Sequence, residues 1–228
     1  LQSWIEQGMT PVTELARMHH LEFVDLPTGH WPQFTRPDDL GRLIADRAYE
    51  PHIDEHGRVH PPGEGDEALI AMGFLDYQRS TLEWKTRGLE TDGLNATTAA
   101  SALSLGGLLK HMAWVEQYWF SYWLHDRAPM APWDRVDWSA EPDWEFTSAR
   151  DDSPEELLEM WRTAVARSRA LTAAAIDEGG FDHPAAKHNQ DGTTVGLRWI
   201  VLHMIEEYAR HNGHADLLRE SIDGEIGE

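Results

Sequence analysis

Residues 104–125 read SLGGLLKHMAWVEQYWFSYWLH, a stretch that is apolar around most of a helical circumference. A helix of that kind must be covered on nearly every side by other elements. Three further segments have the pattern to cover it. In 66–88, Leu69, Ile70, Phe74, Tyr77 and Leu82 recur at helical spacing, and Gly88 stands where a helix C-terminus is expected. In 153–178, Ser153, Pro154 and Glu156 match an N-cap, a first-turn proline and a capping-box glutamate. Leu157, Leu158, Trp161, Val165 and Leu171 follow as a core stripe. The fourth segment, 193–222, has Gly224 just past its end. Residues 89–103 and 179–192 form polar links. Residues 126–152 are longer, bear prolines and carry Trp133, Trp138 and Trp144. A connection of that length in a compact domain is usually functional or packed down as a lid. Four helices with one long crossover predict an all-α fold, a four-helix bundle, and such bundles commonly hold metal sites between facing helices.

The composition narrows the chemistry. The 228 residues include no Cys, which excludes a disulfide scaffold, a zinc finger and a cysteine nucleophile. Any metal must therefore be held by His, Asp and Glu. The net charge of −21 argues against nucleic acid as a partner, since phosphates would be repelled. Neither a signal peptide nor an apolar run near the length of a membrane span is seen, so the expected location is cytoplasmic, with no membrane partner.

The fourth helical segment carries HMIEEYARHNGH, residues 203–214. At about 100° per residue, Glu207, His211 and His214 fall at about 40°, 80° and 20° from His203, one narrow ionisable stripe. Arg210 and Asn212 point about 100° away from His211, toward helix packing or a partner subunit. Trp199, Ile200, Leu202, Ile205 and Tyr208 make much of the rest of the helix apolar. A buried ionisable stripe needs a partner for its charge, and a metal ion is the most economical one. Glu207 with His211, and His203 with Glu207, are both i, i+4 pairs that can converge on one ion. A third ligand must come from another helix, and His111 is the histidine in the body of the second segment. The zinc-protease motif HExxH is absent, and HMIEE does not match HxxEH.

Three blocks, FLDYQRSTLEWKTRGL, LSLGGLLKHMAWVEQYWF and LRWIVLHMIEEYARHNGHADLLRESIDG, give residues 66–222 a resemblance to the DinB-like superfamily of four-helix metalloproteins. The chain is most similar to the actinobacterial subgroup near mycothiol-dependent maleylpyruvate isomerase. The resemblance implies a divalent ion held by His111, Glu207 and His211, with zinc preferred and iron or nickel as alternatives. His203 and His214 are then pocket residues, the candidates for a catalytic or orienting role. It further implies a mycothiol-like thiol as cosubstrate, a small electrophile as its acceptor, and an allowance for a homodimer. The isomerase has an additional C-terminal domain, so thiol transfer fits this chain better than isomerisation of maleylpyruvate. Two other readings use the same residues: a metal-dependent hydrolase or non-haem iron enzyme, and a non-catalytic metal-binding stress protein.

Residues 1–62 stand apart from the 63–228 bundle domain. LEFVDLPTGHWPQFTRPDDLGRLI resembles the C-terminal end of an α/β-hydrolase, a strand, a turn and a helix, with His30 at the position of the triad histidine. No G-x-S-x-G elbow accompanies it, so hydrolysis through His30 is not expected. The following YEPHIDEHGRVHPPGEGDE reads as an exposed linker.

Overall fold

The computed structural model describes residues 52–98 and 101–227. The strand-turn-helix appendage expected within residues 1–62, His30 included, lies outside the described residues up to 51. Four long helices form the bundle: α1 (Glu67–Thr86), α3 (Leu105–Glu116), α5 (Pro154–Gly179) and α6 (Leu197–Asp223). Two short ones, α2 (Thr91–Asn95) and α4 (Trp144–Thr147), lie in the connections. Helix α6 packs chiefly on α1, and α3 chiefly on α5. Among the described residues there is no strand, only isolated bridges such as Ile53 with Val59.

Local chemistry sets the helix ends. The Asp66 side chain accepts from the Leu69 amide and starts α1. Ser153 and Glu156 form the expected reciprocal capping box at α5. Gly224 ends α6 at φ 80°, a left-handed position that costs glycine nothing. Beyond Glu116, α3 continues as a π-helical stretch, Gln117–Trp123.

The core stripe of α5 is as expected at Leu157, Trp161, Val165 and Leu171, which are buried, while Leu158 is half-buried. The stripe of α1 is as expected only in part, at Leu82. Leu69 and Phe74 are exposed, and the buried line is Leu75, Arg79, Leu82 and Thr86. Arg79 faces inward because its charge has a partner there. Its Nε and Nη2 donate to the two oxygens of Glu116 on α3 at 2.7 and 2.8 Å. The Tyr208 hydroxyl on α6 donates to the same carboxylate at 2.8 Å, and Trp161 Nε1 on α5 donates to Tyr208 at 2.9 Å. Each long helix thus gives one residue to a single buried network. Burial opposes the Arg79 charge, but the adjoining Glu116 carboxylate outweighs it and holds the guanidinium protonated. Burial, and then Glu116, push the Tyr208 phenol well above its ordinary range.

The segment read as an exposed linker is partly packed. Arg58 is buried, with its guanidinium over the rings of Tyr77 and Trp84 at 4.7 and 4.6 Å, and His56 stacks on Trp84. The planar guanidinium stacks on aromatic faces at little desolvation cost, and Asp54 closes its ion pair at 2.7 Å.

Candidate metal centre

Helix α6 turns its ionisable stripe toward α3, near the level of His111. Ligating atoms of His111, Glu207 and His211 lie within 4.8 Å of one another, close enough for one ion to reach all three. His211 Nε2 is 3.4 Å from Glu207 Oε2, and the His111 and His211 rings meet edge to face at 4.9 Å. The cluster sits at the rim of the bundle rather than in its middle. His211 is buried, whereas His111 and Glu207 are only partly so. The apolar neighbours that argued for deep burial do not all cover the helix, since Trp199 and Leu202 are exposed.

The electrostatics favour neutral, donor-ready imidazole. Burial, then the neighbouring His111 and His214, lower the His211 pKa to about 4. A neutral imidazole and a carboxylate in contact with it form a borderline donor set suited to zinc, nickel or iron(II). Hydrogen-bond partners orient both rings. His211 Nδ1 lies 3.4 Å from His214 Nδ1, which leaves Nε2 on the Glu207 side. His111 Nδ1 lies 3.2 Å from Glu145 Oε1, which likewise leaves Nε2 available.

The other expected residues are accounted for. His203 Nε2 is 3.6 Å from Glu207 Oε1, so the Glu207 carboxylate lies between His203 and His211. The His203 ring stacks on Trp199 and meets Trp119 edge to face, each at 4.9 Å. His203 also forms a group with Glu206 and Glu207. Glu206 there is exposed and accepts a hydrogen bond from Arg210; that bond, and then the guanidinium charge, hold its carboxyl below the usual range. Asn212 packs α6 on α1 by donating to the Gln78 carbonyl and side chain at 2.9 and 2.7 Å.

The long loop packs its tryptophans on one another and reaches the cluster through other residues. Trp133 and Trp138 pack round Trp114, with Trp144 against Trp133. Trp133 also lines a cavity of about 170 Å³ with Gln117, Ser121 and Arg167, on another face of α3. The loop reaches His111 through Glu145 and Phe146. Helical periodicity had no means of selecting Glu145, because its placement depends on how the loop folds back.

The family model for mycothiol S-transferase matches residues 71–224. The chain belongs to the mycothiol S-transferase family. The matched region of this DinB-like family contains all three cluster residues, together with Glu145, His203 and His214. No curated protein matches. Among solved structures, the chain is similar to the conserved protein of locus from Enterococcus faecalis. That protein is 18% identical, with a TM-score of 0.47, over 71% of this chain and 100% of that one. Among the described residues, no helix is long and apolar enough to cross a membrane.

Proposed function

We propose that this chain is a metal-dependent S-transferase that joins a low-molecular-weight thiol of the mycothiol type to a small electrophile. The carrying observation is the convergence of His111, Glu207 and His211 within 4.8 Å at the rim of the bundle. Three protein ligands leave coordination positions open, as reactive sites do, whereas structural zinc sites are closed by four. A divalent cation held there, zinc by preference, supplies positive charge beside which a thiol ionises at neutral pH. Because the chain has no Cys, the nucleophilic sulfur has to come from the cosubstrate.

The chain's own groups set the rest of the chemistry. The thiol gives up its proton, its sulfur forms a bond to an electrophilic carbon of the acceptor, and that carbon's bond to a leaving group breaks, the leaving group departing with the bonding electron pair. His203, partly exposed beside Glu207, accepts that proton in this reading. Trp119 and Trp199, flanking His203, offer aromatic walls to an electrophile with an apolar body. His214 orients His211. The test is thiol consumption by purified protein with mycothiol and a panel of small electrophiles. Turnover that disappears in His211→Ala and falls in His203→Ala supports the reading. A metal-loaded protein that consumes no thiol with any of them contradicts it. Two histidines and one carboxylate also suit non-haem iron. Iron in place of zinc in the purified protein, with oxygen consumption, favours that second reading.

A further inference from the structure

We infer that Glu145 is a positioning residue for the candidate metal centre: it accepts a hydrogen bond from His111 Nδ1 and so presents His111 Nε2 to the ion. The inference rests on the metal centre proposed above and assigns a residue from a different element to it. Glu145 is a buried carboxylate, 6% exposed. Its Oε1 lies 3.2 Å from His111 Nδ1, and its Oε2 is buried without a hydrogen-bond partner. A buried acid whose polar contact is one side of an imidazole is costly unless that contact serves a purpose.

The surrounding structure delivers Glu145 to this position from several directions. Its neighbour Phe146 stacks on the His111 ring at 4.6 Å and 22°. One turn earlier on α3, a Cβ at Gly107 would meet the Phe146 ring at 3.4 Å and Ser104 Oγ at 3.2 Å, so glycine leaves room for the loop. Lys110, adjacent to His111, lies over Trp144 at 4.3 Å and pairs with Asp152. Gly107, Lys110 and His111 are thus all engaged by residues 144–152, which hold the acid against one nitrogen of one histidine.

The chemical consequence is a defined tautomer. With the Nδ1 proton donated to a carboxylate, the Nε2 lone pair faces the side where Glu207 and His211 lie, and the imidazole becomes a better donor. Glu145 does not belong to the group whose ligating atoms converge within 4.8 Å, so it acts through His111 rather than as a fourth ligand.

The test measures zinc affinity by competition with a chromophoric chelator, on the full chain at one pH. The proteins compared are wild type, Glu145→Ala, Glu145→Gln and the exposed loop control Glu141→Ala. Loss of an orienting carboxylate lowers metal affinity roughly 10- to 100-fold. Glu145→Ala is expected to show that loss, Glu145→Gln a smaller one because its amide oxygen accepts the same bond, and Glu141→Ala none. Cobalt(II) absorption bands should stay at the same positions in Glu145→Gln, and bands that move would overturn the inference by making Glu145 a ligand. Unchanged affinity in both Glu145 variants, with tight binding by wild type, overturns this inference and leaves the metal centre standing. No zinc binding by wild type overturns both. If Glu145→Ala does not fold, Glu145→Gln decides alone: a weakened affinity supports the role and an unchanged one, with unmoved bands, ends it.

Discussion

Replacing Glu116 by Ala should be among the most damaging single changes in the bundle. The side chain is 0% exposed and accepts three hydrogen bonds, two from Arg79 and one from Tyr208. Its loss strands a guanidinium that is itself 1% exposed. Breaking a buried ion pair by removing one partner costs about 3–5 kcal/mol, because a buried charge loses its main compensation. Asp76, partly exposed, keeps a 2.9 Å contact with Arg79 Nη1, so the cost falls within that range rather than above it. At about 2–4 °C per kcal/mol for a domain of this size, the melting temperature should fall by roughly 6–20 °C. Circular dichroism melts and urea titrations of metal-free protein read the effect without contribution from bound metal. Glu116→Gln keeps the shape and part of the bonding and should cost less. The double variant Arg79→Met with Glu116→Leu should recover much of the loss, since apolar replacements of a buried pair are often neutral. A Glu116→Ala variant destabilised by less than about 1 kcal/mol, or a double variant worse than the single, would refute the idea that this network ties the four helices together.

Three other outcomes follow from the same structure. Metal-free protein should lose stability as pH falls from about 6.5 to about 4. His211 stays neutral in the fold down to about 4, while the unfolded chain takes up its proton near 6.5. The loss is on the order of 2–3 kcal/mol, and urea titrations of His211→Asn should show a flatter pH dependence; an equal slope would count against the assigned shift. Ser153→Ala removes half of the capping box at α5 and should cost about 1 kcal/mol by thermal melt; a neutral result would mean the cap is redundant. Removing residues 1–50, or changing His30 to Ala, should leave zinc affinity unchanged by chelator competition, because the candidate ligands lie between His111 and His211.

What could be read from the sequence tracks how each residue is placed. Glu207, His211 and His203 were legible because one helix places them on one side at fixed angles. His111 was legible because it interrupts an otherwise apolar run. The α5 cap and stripe follow from local rules that tertiary packing did not override. Arg79 and Glu116 were not legible as core residues, because charged residues on a helix read as solvated unless their partner is known. Their partners lie on other helices. For the same reason Phe74, apolar and at helical spacing, turned out exposed while Arg79 took the inward place. Arg58 escaped because its burial depends on two rings of α1. Glu145 depends on the path of a 27-residue connection, for which no periodicity exists.

The central claim is that one divalent ion binds His111, Glu207 and His211 together. Anomalous diffraction at the zinc edge from crystals of zinc-loaded full chain tests it most directly. One strong peak is expected about 2.0–2.2 Å from a His111 nitrogen, a Glu207 oxygen and a His211 nitrogen. In His211→Ala crystals that peak is expected to be absent. A peak at another group, such as His203 with Glu206, or no peak near these three side chains, would contradict it.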